Sequence, residues 1–378
     1  MKKIKIAHVA SRLTGKEDGR FKHIIAQINL LDRECFNQIL ITNPGEYLEK
    51  KLKEINIRSF ILLKLNYGIK TSTIVHLYKI LKEENVDFIC VHCLKSYVLA
   101  GLINVFLRKK LVFYHHGITI KNDYNSSLQQ IIYRVLHTLI KSLNKISVLS
   151  PSKNSINLIK KDMKFSNIDC YYDGEAVLIE NEIDENIKND FMKLKINHKL
   201  LVYIGRFDRE KNLYRALRIF KRALNELKDV KFLLIGDGEE KKELVSFVKE
   251  NGIPNVIFVN FIENVASYFH LFDLLFLTSN REGLPITIWE AMDKKLPILS
   301  TNVGGIKEVI ENAKCGLIFE PNDEEDGKRK LVYLMLNDKD RKILGENGYF
   351  ALHKIYTKKN FKETLENFYI KSLDEKQN

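Results

Sequence analysis

The chain alternates short apolar runs with longer stretches in which apolar residues recur every three or four positions. In the first half, residues 3–10, 36–42, 86–93, 111–115 and 145–150 read as strands. Residues 20–31, 72–84, 96–108 and 126–144 read as helices, the last setting Ile132, Val135, Leu136, Leu139, Ile140 and Leu143 on one face. Near residue 199 the alternation restarts, with strands at 200–204, 231–235, 256–259, 274–277 and 297–300. Helices at 213–225, 239–251 and 265–270 lie between them, and an amphipathic helix at 360–373 closes the chain. Apolar strands separated by helices predict parallel sheets covered on both faces. The expected fold is therefore α/β, with two Rossmann-like domains whose parallel sheets face each other across a deep cleft. The first domain is expected over residues 1–180 and the second over 196–359. A polar stretch at 181–199 joins them, and the final helix, within 360–378, packs back on the first domain.

A chain of 378 residues exceeds one core, which agrees with two domains. The longest nearly unbroken apolar run, 97–107, is too short to cross a bilayer. The basic start followed by alternation reads as a first strand and not a signal peptide, so a cytoplasmic protein is expected. Five cysteines do not make a disulfide framework. Cys90 and Cys93 have CxxC spacing around His92, but no second ligand pair follows, and the segment reads as a buried strand. The net charge of +13 is uneven: residues 1–180 carry +12 and residues 181–378 only +1. Such asymmetry points to an acidic partner surface, anionic lipid or nucleic acid, or else to a Lys-rich solvated face. Neither a helical DNA-reading motif nor aromatic residues interleaved with basic ones favour nucleic acid.

Candidate chemistry lies in the loops that follow the strands. Arg206 and Lys211, in the stretch Gly205-Arg206-Phe207-Asp208-Arg209-Glu210-Lys211-Asn212, put two cations near a helix start, where they could hold a diphosphate. Gly236-Asp237-Gly238 follows a strand and opens a helix, so backbone N–H groups could approach a nucleotide there; a simple tight turn explains it as well. Glu282-Gly283-Leu284-Pro285 precedes a helix with Pro285 in its first turn, leaving Glu282 to accept bonds from sugar hydroxyls. Glu290, eight positions on, could reach ribose hydroxyls. An acid and base pair is the competing reading of these two carboxylates, and a capping carboxylate the plain one. Gly304-Gly305 offers backbone donors for phosphate oxygens at another helix start, or only a turn. His116, before Gly117 at a strand end, would face the cleft, though a lone histidine is more often structural; Gly15 and Gly19 lie in the first strand–helix loop, which should form the other cleft wall. Asp338-Lys339-Asp340 has DxD spacing but sits in a polar helical region, where a solvated helix end is the simpler reading.

In order and spacing, GRFDREKN, GDGEE, Ser279 with EGLPITIWEAM, PILSTNVGG, Glu308-Val309-Ile310 and Cys315 to Asp323 resemble glycosyltransferase family 4. The resemblance is specific over residues 200–325 and looser before them. It implies a retaining enzyme of the GT-B fold that moves a hexose-type sugar from a nucleotide-sugar donor, UDP favoured over GDP. Its acceptor would be a saccharide or lipid-linked saccharide of a bacterial surface polysaccharide, lipopolysaccharide or capsule. It further implies Arg206 and Lys211 on the diphosphate, Glu282 on the donor sugar and Glu290 on the ribose. His116 would lie near the transferred sugar, and Gly304-Gly305 near a phosphate. Retention in this family is ascribed to same-face attack, with the leaving phosphate oxygen taking the acceptor proton, so neither metal nor cofactor is expected. Two departures stand out: the first loop lacks the family's adjacent glycines, and Lys294-Lys295 replaces a glycine before the 297–300 strand. The basic first half would then dock at an anionic membrane surface through the helices ending in Arg108-Lys109-Lys110 and carrying Arg134 and Lys141. The rival readings are a sugar-nucleotide epimerase of the same fold, a catalytically silent sugar-nucleotide binder, and a basic nucleic-acid-binding protein.

Overall fold

The computed structural model describes residues 3–11, 13, 19–55, 59–65, 71–116, 127–178 and 183–374. It divides into two units, Met1–Ala176 with Lys358–Asn378, and Val177–Thr357.

In the first unit, seven parallel strands pair in the order β3-β2-β1-β4-β5-β6-β7. They are β1 (Ile4–Ala10), β2 (Phe36–Thr42), β3 (Phe60–Leu62), β4 (Phe88–Val91), β5 (Lys110–Tyr114), β6 (Ile146–Ser150) and β7 (Ile168–Cys170). The helices between them are α1 (Gly19–Leu30), α2 (Glu46–Glu54), α3 (Thr71–Glu83), α4 (Leu94–Leu107), α5 (Ser127–Leu143) and α6 (Lys153–Met163). Strand side chains alternate between cores on the two faces of the sheet. Ala7, Val9, Ile89, Val91, Leu111 and Phe113 point into one, where they meet Leu77, Leu81, Tyr97 and Ile140 from α3, α4 and α5. Ile6, Phe88, Cys90, Val112 and Tyr114 point into the other. That second core is closed by the helix that ends the described chain (Lys358–Asp374), through Phe361, Leu365, Phe368 and Tyr369.

The second unit opens with α7 (Glu185–Lys195), inside the stretch that the sequence suggested was a polar joint. Asp184 caps this helix by accepting from the Asn186 and Ile187 N–H groups, and Phe191 anchors it against Tyr268 and Phe272. One buried aromatic in a polar run gives no helical stripe to read, which is why the helix was missed. Six parallel strands follow: β8 (Lys199–Ile204), β9 (Val230–Ile235), β10 (Val256–Val259), β11 (Leu274–Leu277), β12 (Ile298–Thr301) and β13 (Gly316–Phe319). The intervening helices are α8 (Leu213–Ala223), α9 (Lys241–Glu250), α10 (Ile286–Asp293), α11 (Ile306–Ala313), α12 (Glu324–Leu336) and α13 (Asp338–Lys354). The strand order is β10-β9-β8-β11-β12-β13. The chain thus winds one way from β8 and the other way from β11, so the loops after these two neighbours part and leave a crevice at their carboxyl ends. In the first unit the same switch falls between β1 and β4. The helix Lys358–Asp374, α14, returns the chain to that first unit.

Candidate active site

In the second unit, the loop leaving β8 is bent by Asp208, whose Oδ1 accepts from the Glu210 and Lys211 N–H groups at 3.0 and 3.2 Å. Asn212 then takes a left-handed conformation (φ 48°) and caps α8 by accepting from the Arg215 N–H. This turn separates the two cations. Arg206 stays 59 % exposed, paired with Asp208 Oδ2 at 3.0 Å. Lys211 folds inward, and its Nζ lies 2.6 Å from Oε1 of Glu282. Ser279 Oγ donates to the same oxygen at 2.6 Å. Short charge-assisted contacts of this kind hold a carboxylate in one orientation. The loop after β8 and the loop after β11 therefore meet at one oxygen, over the switch point.

The loop after β12 is tied to the same place. Gly305 N–H donates to Gly283 O at 2.7 Å, and Thr301 Oγ1 donates to Ser279 O at 2.8 Å. Gly304 has φ +57°, and a Cβ there would lie 2.1 Å from Glu282 O, so only glycine fits. The Gly305 amide is thus engaged within the protein, and the glycine pair serves to lace the β11 and β12 loops together. Gly236 plays a similar part after β9: a Cβ would lie 2.0 Å from Gly205 O. Nearby, Phe207 N–H donates to Asp237 O at 2.8 Å, and Gly238 N–H donates to Asp237 Oδ1. Pro285 stands just before α10 as its cap residue, not within its first turn, with Gly283 buried and Leu284 half-buried before it. Glu290 lies inside α10 and is only 5 % exposed. Sequence reasoning overlooked Arg215, whose guanidinium donates to Thr278 O at 2.8 Å and to Asn280 Oδ1 at 3.0 Å. A cation on the buried side of an amphipathic helix was the available signal.

In the first unit His116 lies two residues beyond the end of β5 and is half-buried. Its Nε2 lies 3.2 Å from Nδ1 of His92, and its ring centroid is 4.9 Å from that of His23. Burial pushes both His116 and His92 well below the ordinary imidazole value. Gly19 is the first residue of α1. Gly15 and Gly117 lie outside the described residues.

The CxxC pair is divided between two tasks. Cys90 is buried with its Sγ 3.2 Å from the Tyr369 hydroxyl, and burial raises its thiol to about 12. Cys93 caps α4, its Sγ accepting from Ser96 N–H. Asp338 is bound to Lys199 at 2.6 Å and to Arg341 at 2.8 Å, and Tyr333 donates to Asp340. Among the described residues no group of three or more His, Cys, Asp or Glu side chains is placed to hold a metal ion.

Residues 186–350 match the family model described as glycosyl transferases group 1. An uncharacterized glycosyltransferase of Methanocaldococcus jannaschii is 27 % identical over 331 residues, 85 % of this chain and 86 % of that one. The Escherichia coli UDP-Gal:alpha-D-GlcNAc-diphosphoundecaprenol alpha-1,3-galactosyltransferase is 25 % identical over 91 % of both chains. Among solved structures, Anabaena HepE in complex with UDP and glucose has a TM-score of 0.79 at 16 % identity, over 97 % of this chain and all of that one. WaaG, a glycosyltransferase involved in lipopolysaccharide biosynthesis, has a TM-score of 0.71 at 14 % identity, over 96 % of this chain and 99 % of that one. Two parallel-sheet α/β units of this kind make the GT-B fold.

Proposed function

The protein is a glycosyltransferase, and from that premise we propose that it is a retaining member of family 4 using a UDP-linked hexose. Its product would be a saccharide or lipid-linked saccharide of a bacterial surface polysaccharide. The relatives named above support the direction: one acts on a diphosphoundecaprenol-linked sugar and another binds UDP and glucose. The observation that carries the reading is the convergence of Lys211, Ser279 and Glu282 at the switch point between β8 and β11.

In this reading Lys211, with the more exposed Arg206, takes the charge that develops on the diphosphate as the glycosidic bond breaks. Glu282, fixed by Ser279 and Lys211, accepts from donor-sugar hydroxyls, and Glu290 serves the ribose. Gly236 and Gly238, with Gly283, Leu284, Pro285, Gly304 and Gly305, shape the backbone against the nucleotide and its phosphates. His116 and Gly19, in the first unit, serve the transferred sugar and the acceptor. Protein cations take the part that a divalent ion plays elsewhere, so turnover is expected without added metal. The experiment is a screen of UDP-sugars for slow hydrolysis, then transfer in chelator with the product anomer read by NMR. Inversion, or activity restored only by manganese, would overturn the reading; interconversion of the sugar nucleotide without acceptor would favour the epimerase.

The second part of the proposal is docking on an anionic membrane surface, without insertion. No described helix is long and apolar enough to cross a membrane. What supports docking is α5, which turns Leu128, Ile131, Ile132, Val135, Leu139 and Leu143 to solvent in one stripe. Arg134, Lys141 and Lys145 flank the stripe, and the neighbouring α6 segment adds exposed Lys160, Lys161 and Lys164. An apolar stripe rimmed by cations fits anionic headgroups over acyl chains.

A further inference from the structure

The same face of the first unit's sheet carries histidines from three adjacent strands. His8 is on β1, His92 follows β4 and His116 follows β5, each in step with Ile6, Phe88 and Val112 toward the core that α14 closes. Their rings form a file. His8 Nδ1 lies 3.0 Å from His92 Nε2, and His92 Nδ1 lies 3.2 Å from His116 Nε2. At the far end His8 Nε2 lies 3.1 Å from Gln38 Oε1. His8 and His92 are 0 % and 1 % exposed, so water does not compete inside the file.

The direction of every proton follows from one anchor. Gln38 Nε2 lies 3.1 Å from the Ile28 carbonyl oxygen, which can only accept. The amide NH₂ must face Ile28, so Oε1 faces His8 and requires a proton on His8 Nε2. In a neutral ring Nδ1 is then bare, and it accepts from His92 Nε2–H. His92 Nδ1 is bare in turn and accepts from His116 Nε2–H. His116 is left with an unprotonated Nδ1, and among the described residues nothing donates to it. Neutrality is secured by burial, which lowers His8 to about 4 and holds His92 and His116 well below their ordinary value. Tyr114, stacked on His92 with centroids 4.8 Å apart, fixes the plane of the middle ring.

We propose that Gln38, His8 and His92 are positioning residues that lock His116 in its Nε2–H tautomer, so that it presents Nδ1 as a hydrogen-bond acceptor to a sugar hydroxyl. His116 would then select a ligand that carries a donating hydroxyl there and reject an analogue lacking it. The consequence for transfer rests on the proposed role of His116 at the transferred sugar. The wiring itself does not.

The two parts are tested separately on the full chain. In ¹⁵N-histidine-labelled protein, long-range ¹H–¹⁵N correlations at neutral pH should give His8, His92 and His116 the neutral Nε2–H pattern. An Nδ1–H or imidazolium pattern at His116 would overturn the wiring, whatever the activity. Gln38→Leu removes the anchor and should mix the tautomers down the file. For transfer, His92→Leu should lower kcat/KM about tenfold, the effect of one misdirected hydrogen bond. His92→Gln can accept through Oε1 from His116 and donate through Nε2 to His8, and should stay within about threefold of wild type. A purely structural role predicts equal losses in the two variants and would sink the proposal. Equal activity in wild type, His92→Leu and Gln38→Leu, with the tautomer as stated, would confine the error to the role given His116. Dispersed NMR spectra establish that each variant is folded.

Discussion

At the residue scale, Lys211 and Glu282 are 71 positions apart in sequence and 2.6 Å apart in space. Each was legible as a candidate from its loop, but no spacing rule shows that they touch, because β9, β10 and β11 intervene. Lys211→Ala is expected to remove a charge-assisted contact of roughly 1.5–3 kcal/mol, a 10- to 150-fold loss in turnover if it is made in the transition state. Steady-state kinetics with the donor found by screening will measure it, and near-normal turnover would remove Lys211 from the proposed role. The histidine file is only partly legible in the sequence: His92 and His116 stand out singly, and His8 lies unremarked within the first strand. Strand parity would have aligned all three, but adjacency of β1, β4 and β5 is a fact of topology. Its titration makes a stability prediction. Burial lowers His8 from 6.5 to about 4, with Gln38 raising it and His23 lowering it. The unfolded chain therefore binds a proton that the folded chain refuses between those values. The contribution is fully present above pH 6.5 and is lost as pH falls toward 4, worth about 3 kcal/mol at full extent. Thermal melts from pH 7 to pH 4 should fall more steeply in wild type than in His8→Asn.

At the element scale, β2, β10 and β11 coincide with the strands read from the sequence: β10 and β11 are apolar on both faces, and β2 carries the apolar run Ile39-Leu40-Ile41. By contrast β3 and β7 have three residues each at the sheet margins, too few for a period to register. α2 and α6 are polar helices with few buried positions, so their stripes are faint. Helix α5 illustrates a different limit. Its apolar residues were read as one face, yet Leu136 and Ile140 turn toward the core while Ile132, Val135, Leu139 and Leu143 turn outward. Periodicity counts apolar positions and cannot say which of two neighbouring stripes is covered. For the outward stripe, Val135→Glu should weaken binding to anionic liposomes at low salt about 10- to 100-fold, the equivalent of one buried aliphatic side chain. Its melting temperature should scarcely change, because Val135 is 63 % exposed. Flotation with phosphatidylglycerol vesicles tests this, and a wild-type chain that ignores them would end the docking proposal.

At the scale of the whole molecule, the chain visits the first unit twice, and α14 supplies Phe361, Leu365, Phe368 and Tyr369 to its core. Burial of four such side chains is worth roughly 6–12 kcal/mol as an upper value, comparable with the entire stability of a domain. Ending the chain at Thr357 is expected to unfold the first unit while β8–β13 keep their cooperative transition. Calorimetry would then show a single remaining endotherm, and two preserved endotherms would contradict the assignment of α14. Tyr369 also bonds its hydroxyl to Tyr114 at 2.8 Å and meets the Cys90 thiol, so the late helix holds polar as well as apolar partners of the earliest strands.

That arrangement reverses the usual order of vectorial synthesis. A nascent chain emerging from the ribosome completes all six strands of β8–β13 before the segment that caps β1, β4 and β5 exists. The amino-terminal sheet must wait, with Phe88 and Tyr114 bare on one side, until translation has passed Tyr369. The half of the molecule made first is therefore the half that matures last, and it is the one most in need of chaperone shelter.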